Sequence, residues 1–436
     1  MAKAKSKKIT LEEALVPVEE QPYEVPENWC WTYLLNGFAE CKDGNRKPIN
    51  ASERAEREGD IPYYGATGQA GWIDDYLTDE QLVLLGEDGA PFLELLKDKA
   101  YLIEGKAWVN NHAHIIKSHY GEVGNKYILH YLNVFNFHGY VNGTTRLKLT
   151  QASMRTIPVP LPPLAEQKRI VEQIESLFAK LDEAKEKALS VVESFELREK
   201  AIYKKAFEGN LTNSWRAENG INISEWEEIP FEKLGKLERG RSKHRPRNDK
   251  RLFGGKYPFI QTGDVAGAGM YVTSHKQTLS EFGFEQSRMF PKGTLCITIA
   301  ANIGDAAILS YDCCFPDSVV GFTPGEKCLN KYMYFYLQEI KAELEYIAPA
   351  TAQKNLNLKL LGKVEIKVPS LKEQEKIVEI LEKQINDQEN IVEKAENVIE
   401  TIDVMKKLIL AKTFRGELGT NIETEESAME LLKSIF

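Results

Sequence analysis

The chain contains a long internal repeat. Residues 162–211 align without a gap with residues 369–418 at an offset of 207, and 19 of these 50 positions are identical. A looser similarity precedes the repeat at the same offset, since TTRLKL at Thr144 stands opposite TAQKNL at Thr351. This period is far longer than that of solenoid repeats and indicates a tandem duplication of a whole domain followed by a helix.

Each copy of the repeat predicts a long helix. Proline precedes the segment, glutamate lies in its first turn, and Gly209 or Gly416 follows its end. About 40 residues without Pro or Gly correspond to roughly 60 Å of helix. Apolar residues recur with the 3.5-residue period of a coiled coil. The predicted seam consists of Ile170, Ile174, Leu177, Leu181, Val191, Phe195, Ile202, Ile377, Leu381, Gln384, Gln388, Ile391, Val398, Ile402 and Ile409.

The two helices are expected to pair with each other in antiparallel orientation, because the chain must return through a folded domain before the second helix begins. The alternative is two independent amphipathic helices, each packed on its own domain. The equal length and phase of the two segments argue against this alternative, since unrelated packing surfaces need not share a register.

The stretches outside the helices predict two mixed α/β domains. Short β-rich runs between glycines, such as QLVLLGEDG and GTLCITIA, are typical of strands. The predicted fold class is α+β, with two such domains, each followed by a long helix, in a pseudo-two-fold tandem repeat. The expected boundaries are a mobile basic arm at 1–23, domains at 24–160 and 212–366, helices at 161–211 and 367–419, and a tail at 420–436.

Composition narrows the class of protein. The six cysteines form no CxxC pair, which predicts reduced thiols and a cytoplasmic location. No apolar run approaches ~18 residues, so no membrane span is expected.

The net charge of −9 conceals an asymmetry. Residues 27–150 contain 12 Lys and Arg against 17 Asp and Glu, whereas residues 222–363 contain 19 against 16, so the second domain is the better suited to phosphate.

Several short motifs, in an order that occurs twice, resemble the specificity subunits of type I restriction–modification systems. PENW and ISEW open the two domains, and GTTR and ATAQKNL precede the helices. PLPPLAEQKRIV and VPSLKEQEKIV begin the helices, and FEGNL and FRGEL end them. The resemblance spans nearly the whole chain from residue 24 onward. It implies two target-recognition domains joined by an antiparallel pair of long helices, which choose a split DNA sequence for methyltransferase and restriction subunits.

Motifs for catalysis by the chain itself are lacking, since the sequence contains no Walker loop, no glycine-rich S-adenosylmethionine loop and no NPPY-type tetrapeptide. The resemblance implies a non-catalytic subunit without a cofactor, with S-adenosylmethionine, ATP and Mg²⁺ in partner subunits. Its expected partners are double-stranded DNA with a bipartite site, two methyltransferase subunits and restriction subunits. His112 and His114 are closely spaced in HAHIIKSHY, but a structural role is favoured over metal binding.

Several groups of polar residues are candidate DNA contacts, among them the GTTR and TAQK motifs that recur before the two helices. ERGRSKHRPRNDKR places seven Lys and Arg within 13 residues without apolar periodicity, which favours a phosphate-contacting loop over a merely solvated one. CKDGNRKPIN and YYGATGQAG offer donors beside small residues in the first domain. The candidates are Lys42, Asn45, Arg46, Lys47, Tyr63, Tyr64, Thr67, Gln69, Thr145, Arg146, Arg239, Arg241, Lys243, Arg245, Arg247, Thr262, Gln353 and Lys354.

Two other functions stay open on the residues alone. The net acidity and the glutamines in the seam also suit a coiled-coil scaffold whose variable domains bind protein partners. A stand-alone nuclease would require a metal-binding carboxylate motif, and the spacing in PDSVVGFTPGEK departs from one.

Overall fold

The computed structural model describes residues 9–348 and 356–436. Its contacts divide the chain into two compact units, one formed by residues up to 189 together with 396–436, the other by residues 190–395. Each unit therefore contains one domain and parts of both helical segments. The helices of the described ranges include none with an apolar stretch sufficient to span a bilayer.

The first domain alternates short strands with short helices and leads into the first long helix. Its strands are β1 (Cys30–Tyr33), β2 (Ala39–Cys41), β3 (Ile61–Gly65), β4 (Gly68–Ile73), β5 (Thr78–Asp79), β6 (Leu82–Gly86), β7 (Ala100–Ile103), β8 (Lys106–Val109), β9 (Ala113–Ser118), β10 (Val141–Asn142), β11 (Lys148–Leu149) and β12 (Pro158–Leu161). Its helices are α1 (Leu11–Ala14), α2 (Ala51–Ala55), α3 (Gly121–Leu132), α4 (Gln151–Arg155) and α5 (Leu164–Glu193).

The second half of the chain repeats this organisation. Its strands are β13 (Glu227–Pro230), β14 (Gly235–Arg239), β15 (Phe253–Phe259), β16 (Tyr271–Val272), β17 (Gln277–Leu279), β18 (Met289–Phe290), β19 (Leu295–Thr298), β20 (Ala306–Leu309), β21 (Cys313–Cys314), β22 (Val319–Pro324) and β23 (Glu365–Val368). Its helices are α6 (Phe195–Phe207), α7 (Asn213–Asn219), α8 (Thr262–Ala266), α9 (Glu281–Glu285), α10 (Asn330–Ile347), α11 (Leu358–Gly362), α12 (Leu371–Thr413) and α13 (Ala428–Lys433).

The two domains share the order of their main strands, although the second has an additional edge strand, β16, and their loops differ. In the first domain the sheet orders are β2-β9-β6-β7 and β4-β3-β8-β5, and β1 pairs antiparallel with β12. In the second domain the corresponding orders are β14-β22-β19-β20-β16 and β17-β15-β21-β18, with β13 antiparallel to β23. The central strands β6 and β19 are wholly buried, which explains their continuous apolar sequences. The duplication read from the helices therefore extends through the domains.

In the first unit, α5 and the C-terminal part of α12 run antiparallel. Lys185 Nζ lies 2.6 Å from Asp403 Oδ1, and Asp182 pairs with Lys406. As the residue number increases along α5, the residue number of the partner on α12 decreases, which is the signature of antiparallel helices. Leu410 of α12 is buried in the core of the first domain. This pairing confirms the orientation predicted from the domain that separates the helices.

The first helical segment is interrupted where the sequence predicts one continuous helix. Ser194 separates α5 from α6. Its hydroxyl donates to the Ser190 carbonyl at 2.7 Å, and Arg198 Nη2 donates to the Val191 carbonyl at 2.8 Å. Side chains that donate hydrogen bonds to carbonyl groups of the preceding turn bend or interrupt a helix. The second segment, α12, runs without interruption for 43 residues.

The buried stripe of α12 differs from the predicted seam at alternate positions. Ile391 and Val398 are 43% and 45% exposed. Val392 and Ile399, one residue farther on, are half-buried instead, while Ile402 is only 3% exposed. Apolar residues occupy both neighbouring positions, so the heptad pattern alone does not fix which of them faces inward. The remaining predicted seam residues are buried or half-buried: Ile170, Ile174, Leu177, Leu181, Val191, Phe195, Ile202, Ile377, Leu381, Gln384, Gln388 and Ile409.

A glutamate in the first turn of each long helix is fully buried. In the first unit, Glu166 accepts a hydrogen bond from Trp29 Nε1 at 2.7 Å. Asn421 Nδ2 and Thr420 Oγ1, which follow α12, donate to the same carboxylate at 2.8 and 3.2 Å. The carboxylate thus joins the start of the domain, the start of α5 and the segment after α12.

The equivalent contact in the second unit contains a cation. Glu373 accepts a hydrogen bond from Trp226 Nε1 at 2.9 Å and one from Thr212 Oγ1 at 2.7 Å. Arg216 Nη1 lies 2.6 Å from the same carboxylate, and both side chains of this ion pair are buried. In each half, the tryptophan of the ENW or SEW motif therefore contacts the glutamate of the LxEQ motif, although the two motifs are far apart in sequence.

Residues near both ends of the chain pack on the first domain. Thr10 caps α1, Ala14 is fully buried, and the Val16 N–H donates to the Trp31 carbonyl at 3.1 Å. Leu432 of α13 is also fully buried. The arm predicted to be mobile over 1–23 is therefore packed from Thr10 onward, and the C-terminal tail contributes to the core.

Candidate nucleic-acid interface

A buried polar network organises the loops of the first domain. His114 Nδ1 lies 2.7 Å from Asp43 Oδ2, and its Nε2 lies 2.9 Å from the Leu149 carbonyl oxygen. Arg46 extends the network through ion pairs with Asp43 at 2.9 Å and with Glu87. The network connects the CKDGNR loop to β9 and β11. The guanidinium of Arg46, a candidate DNA contact, is therefore engaged inside the domain.

The same residues include a group that could geometrically hold a metal ion. Ligand atoms of Cys41, Asp43 and His114 lie within 4.8 Å of one another. Burial raises the pKa of the Cys41 thiol to about 11, which disfavours the thiolate that metals bind. Burial also opposes ionisation of Asp43, but its hydrogen bond with His114 and the charge of Arg46 hold its pKa below the usual value. Because both nitrogens of His114 already face oxygen atoms, the arrangement fits a structural network better than a metal site.

The GTTR motif forms an exposed loop between β10 and β11. Thr145 and Arg146 are exposed, and Arg146 Nη2 lies 2.8 Å from Asp88 Oδ1. Asp88 also pairs with His112 Nδ1 at 2.7 Å. The motifs GEDG, NNHAH and GTTR, which are separate in sequence, thus form one surface.

The YYGATGQAG motif forms the β3–β4 hairpin. Its turn needs Gly68, whose φ of 137° is unfavourable for a side chain. Thr67 and Gln69 are exposed near the turn, whereas Tyr63 is 2% exposed and Tyr64 is half-buried. The hairpin therefore presents Thr67 and Gln69 to a partner and uses Tyr63 in the core.

The remaining candidates of the first domain precede α2. Asn45 and Lys47 are exposed. Lys42 is half-buried and lies 3.3 Å from carboxylate oxygens of both Glu40 and Glu80. The available cation of this loop is therefore Lys47.

Two exposed aromatic residues were not singled out from the sequence. Trp72 on β4 is 56% exposed and Tyr76, just beyond it, is 43% exposed. Exposed aromatic rings next to polar loops are typical of surfaces that contact nucleic acids or proteins. The signal in the sequence is a tryptophan next to glycine within GQAGWI.

The basic stretch of the second domain forms a loop between β14 and β15, and two aspartates hold several of its arginines. Arg247 Nη2 lies 2.8 Å from Asp317 Oδ1, and Arg245 lies 4.0 Å from Asp317 Oδ2. Arg251 pairs with Asp249 at 2.7 Å. Hydrogen bonds from the Arg251 side chain and backbone hold the pKa of Asp249 well below its usual value. Charge compensation within the domain thus reduces the positive field of the loop.

The structure brings five candidates of the second domain together in this loop: Arg239, Arg241, Lys243, Arg245 and Arg247. Arg241 is half-buried, and the other four are exposed. Thr262 is half-buried at the start of α8. Gln353 and Lys354 lie outside the described residues.

A family model described as the type I restriction modification DNA specificity domain matches the chain twice, over residues 26–194 and 223–401. The chain belongs to this family. Each match begins at the start of a domain and ends within a long helical segment. Members are specificity subunits, so the chain is a recognition component rather than an enzyme.

Individual relatives agree with the family model. The chain is 30% identical over 360 residues to a putative type I restriction enzyme specificity subunit of Haemophilus influenzae, covering 80% of this chain and 86% of the relative. It is 26% identical over 305 residues to the EcoKI specificity subunit of Escherichia coli, covering 65% of this chain and 64% of the relative.

Two solved structures have the same fold as this specificity subunit. The HsdS subunit of Thermoanaerobacter tengcongensis matches with a TM-score of 0.60 at 18% identity, over 92% of this chain and 100% of that one. A chain from work on complex assembly and conformational transition of the type I R-M system matches with a TM-score of 0.66 at 17% identity, over 91% and 100%.

Proposed function

We propose that this chain selects a bipartite DNA sequence for a type I restriction–modification complex, with one half-site contacted by each domain. The observation that carries the proposal is the duplicated architecture. Apart from the edge strand β16, both domains have the same strand order, and a buried carboxylate joins each to the helical segments at an equivalent point. Similar domains with different loops suit two different half-sites.

The proposed contact residues are those whose side chains are exposed in the loops described above, together with the half-buried Arg241. The polar network around His114 occupies Arg46, and Tyr63 belongs to the core, so neither is included. The proposed contacts are Asn45, Lys47, Thr67, Gln69, Thr145 and Arg146 in the first domain and Arg239, Arg241, Lys243, Arg245 and Arg247 in the second.

The partners follow from the family. In this proposal the helical pair carries two methyltransferase subunits, restriction subunits join them, and S-adenosylmethionine, ATP and Mg²⁺ bind to those partners. Support comes from the structural relative that was solved in work on complex assembly of the type I R-M system. All six cysteines are free thiols, which agrees with action in the cytoplasm, where thiols stay reduced.

The spacing of the two half-sites provides the test. One heptad would be inserted into α5 and one into α12, at matched points beside the Lys185–Asp403 ion pair. Seven residues preserve the register and lengthen the pair by about 10 Å, which corresponds to roughly three base pairs of duplex. Mapping methylated sites in a host with the methyltransferase partner should show a gap longer by about three base pairs and unchanged half-sites.

The control is a heptad inserted into α5 alone, which should destroy the pairing and abolish methylation. A doubly inserted protein that kept the original gap would contradict the proposed role of the helices. Loss of both half-site sequences in that variant would contradict the assignment of one half-site to each domain.

A further inference from the structure

The second domain contains a half-open pocket of about 130 Å³ at the basic loop. For comparison, a cavity of about 150 Å³ holds a benzene molecule. The pocket therefore has room for a chemical group of several atoms. Its lining is Arg241, Ser242, Arg247, Leu252, Phe253, Phe259, Gln261, Leu279, Gly283, Gln286, Ser287, Pro316 and Ser318.

Arg241 brings a cation without a counter-ion into this lining. Its Nε is buried and has no hydrogen-bond partner. Over residues 9–348 and 356–436, its guanidinium forms neither a hydrogen bond nor an ion pair. The nearby Arg247 and Arg251, by contrast, are paired with Asp317 and Asp249. An arginine side chain stays protonated, and the buried Nε donor of Arg241 has no acceptor, so a ligand with acceptor oxygens would complete its hydrogen bonding.

A second polar atom in the pocket also lacks a satisfactory partner. Ser287 is 8% exposed, and its hydroxyl has no hydrogen bond of normal geometry. The Cys314 thiol beside it is a weak hydrogen-bonding group. Buried polar groups without partners are uncommon in folded proteins. Arg241 Nε and Ser287 Oγ thus both leave hydrogen-bonding capacity unused in this pocket.

The charge of the lining determines the class of ligand. Two arginines, three serines and two glutamines supply donors, and none of the described lining residues is Asp or Glu. Such a lining is complementary to an anion with several acceptor oxygens, which Arg binds with a directed pair of N–H groups. The apolar side chains Leu252, Phe253, Phe259 and Leu279 form the remaining wall.

We propose that this pocket binds one phosphate group of the DNA backbone, with Arg241 as the charged donor and Ser287 as a hydroxyl donor. The inference rests on the proposed function, because DNA is the polyanion that a specificity subunit meets. The apolar wall faces the deoxyribose next to that phosphate. A phosphate held in a pocket helps to fix the register of the second domain on the duplex.

The test replaces Arg241 with methionine, which keeps a long apolar stem and removes the charge. The complex of the full chain with its methyltransferase subunits would be titrated with its mapped duplex at several salt concentrations. The slope of log affinity against log salt should fall by about 1 for R241M. The melting temperature should stay the same or rise, because the substitution removes a buried N–H donor that has no acceptor. A lowered melting temperature with unchanged affinity would mean that Arg241 has only a structural role.

A scan with neutral methylphosphonates identifies the phosphate. Each phosphate of the second half-site would be replaced in turn, and the wild-type complex should lose affinity sharply at one position to which R241M is insensitive. The matched control R251M changes an arginine of the same loop that is paired and lies outside the pocket, and it should keep the wild-type sensitivity at that position.

The outcomes separate the two proposals. A wild-type complex that binds no split DNA site would contradict the proposed function. Normal binding with the same methylphosphonate pattern in wild type and R241M would overturn the pocket assignment alone. Inorganic phosphate added to the free chain is the last arm. If it stabilises the wild type but not R241M while the scan shows no Arg241-dependent position, the pocket takes free phosphate and the DNA assignment is overturned.

Discussion

Replacing Glu373 with glutamine should destabilise the protein more than the same replacement at Glu166. Both carboxylates are fully buried at equivalent positions, but their donors differ. Glu373 is paired with the buried Arg216, whereas the donors to Glu166 are the neutral groups of Trp29, Thr420 and Asn421. The two changes therefore remove the same charge from different electrostatic surroundings.

The expected magnitudes follow from these partners. Breaking a buried ion pair costs about 3–5 kcal/mol, since the remaining charge is left without compensation. Arg216 keeps other acceptors, the Gly209 carbonyl at 2.6 Å and the Asn213 side chain. The loss for Glu373→Gln should therefore be near the lower limit, about 3 kcal/mol. In Glu166→Gln, charge-assisted bonds to neutral donors become ordinary ones, which should cost about 1–2 kcal/mol.

The free energy of unfolding would be measured by urea denaturation of both variants and the wild type. Hydrogen exchange would assign each loss to the unit that contains the substituted residue. An equal loss in the two variants, or a larger loss for Glu166→Gln, would refute the view that the Arg216 charge distinguishes the two contacts.

Two further predictions concern α12 and pH. Ile402→Ala should lower the free energy of unfolding by about 2–4 kcal/mol, because Ile402 is 3% exposed. Val398→Ala, at a position that is 45% exposed, should cost less than about 1 kcal/mol, and equal losses in denaturation would place Val398 in the seam after all. Burial lowers the pKa of His130 to about 4, so its contribution to stability is complete above pH ~6.5 and is lost as the pH falls towards 4. The wild type should lose up to about 3 kcal/mol in the free energy of unfolding between pH 7 and pH 4 through this group, and His130→Leu should not. Denaturation curves at the two pH values would measure the difference. The same pH dependence in the variant and the wild type would contradict the prediction.

The fold is predictable from the sequence where a pattern is long. The repeat, the helical character of both segments and their antiparallel pairing depend on periodicity sustained over many residues. The break at Ser194 depends on two side-chain hydrogen bonds, to the carbonyls of Ser190 and Val191, that no period reveals. Both Ile391 and Val392 are apolar, so the partner helix determines which of the two side chains faces inward.

The candidate interface is predictable only as a set of loops. The basic stretch between β14 and β15 is evident from composition, and its exposure follows from the lack of apolar periodicity. Composition does not reveal which cations are already compensated. Arg46 is paired with Asp43 and Glu87, and Arg247 is paired with Asp317. Glu87 is 41 positions from Arg46 in the sequence, and Asp317 is 70 positions from Arg247.

Each buried glutamate takes a hydroxyl donor from the other copy of the repeat, Glu166 from Thr420 and Glu373 from Thr212. A chain with a single copy would have the acid at the start of its helix and the threonine beyond its end, where one straight helix cannot bring them together. Two such chains related by a two-fold axis would satisfy both contacts at once. Duplication has thus turned a contact that two separate subunits would have to make into a unimolecular one, whose formation does not depend on protein concentration.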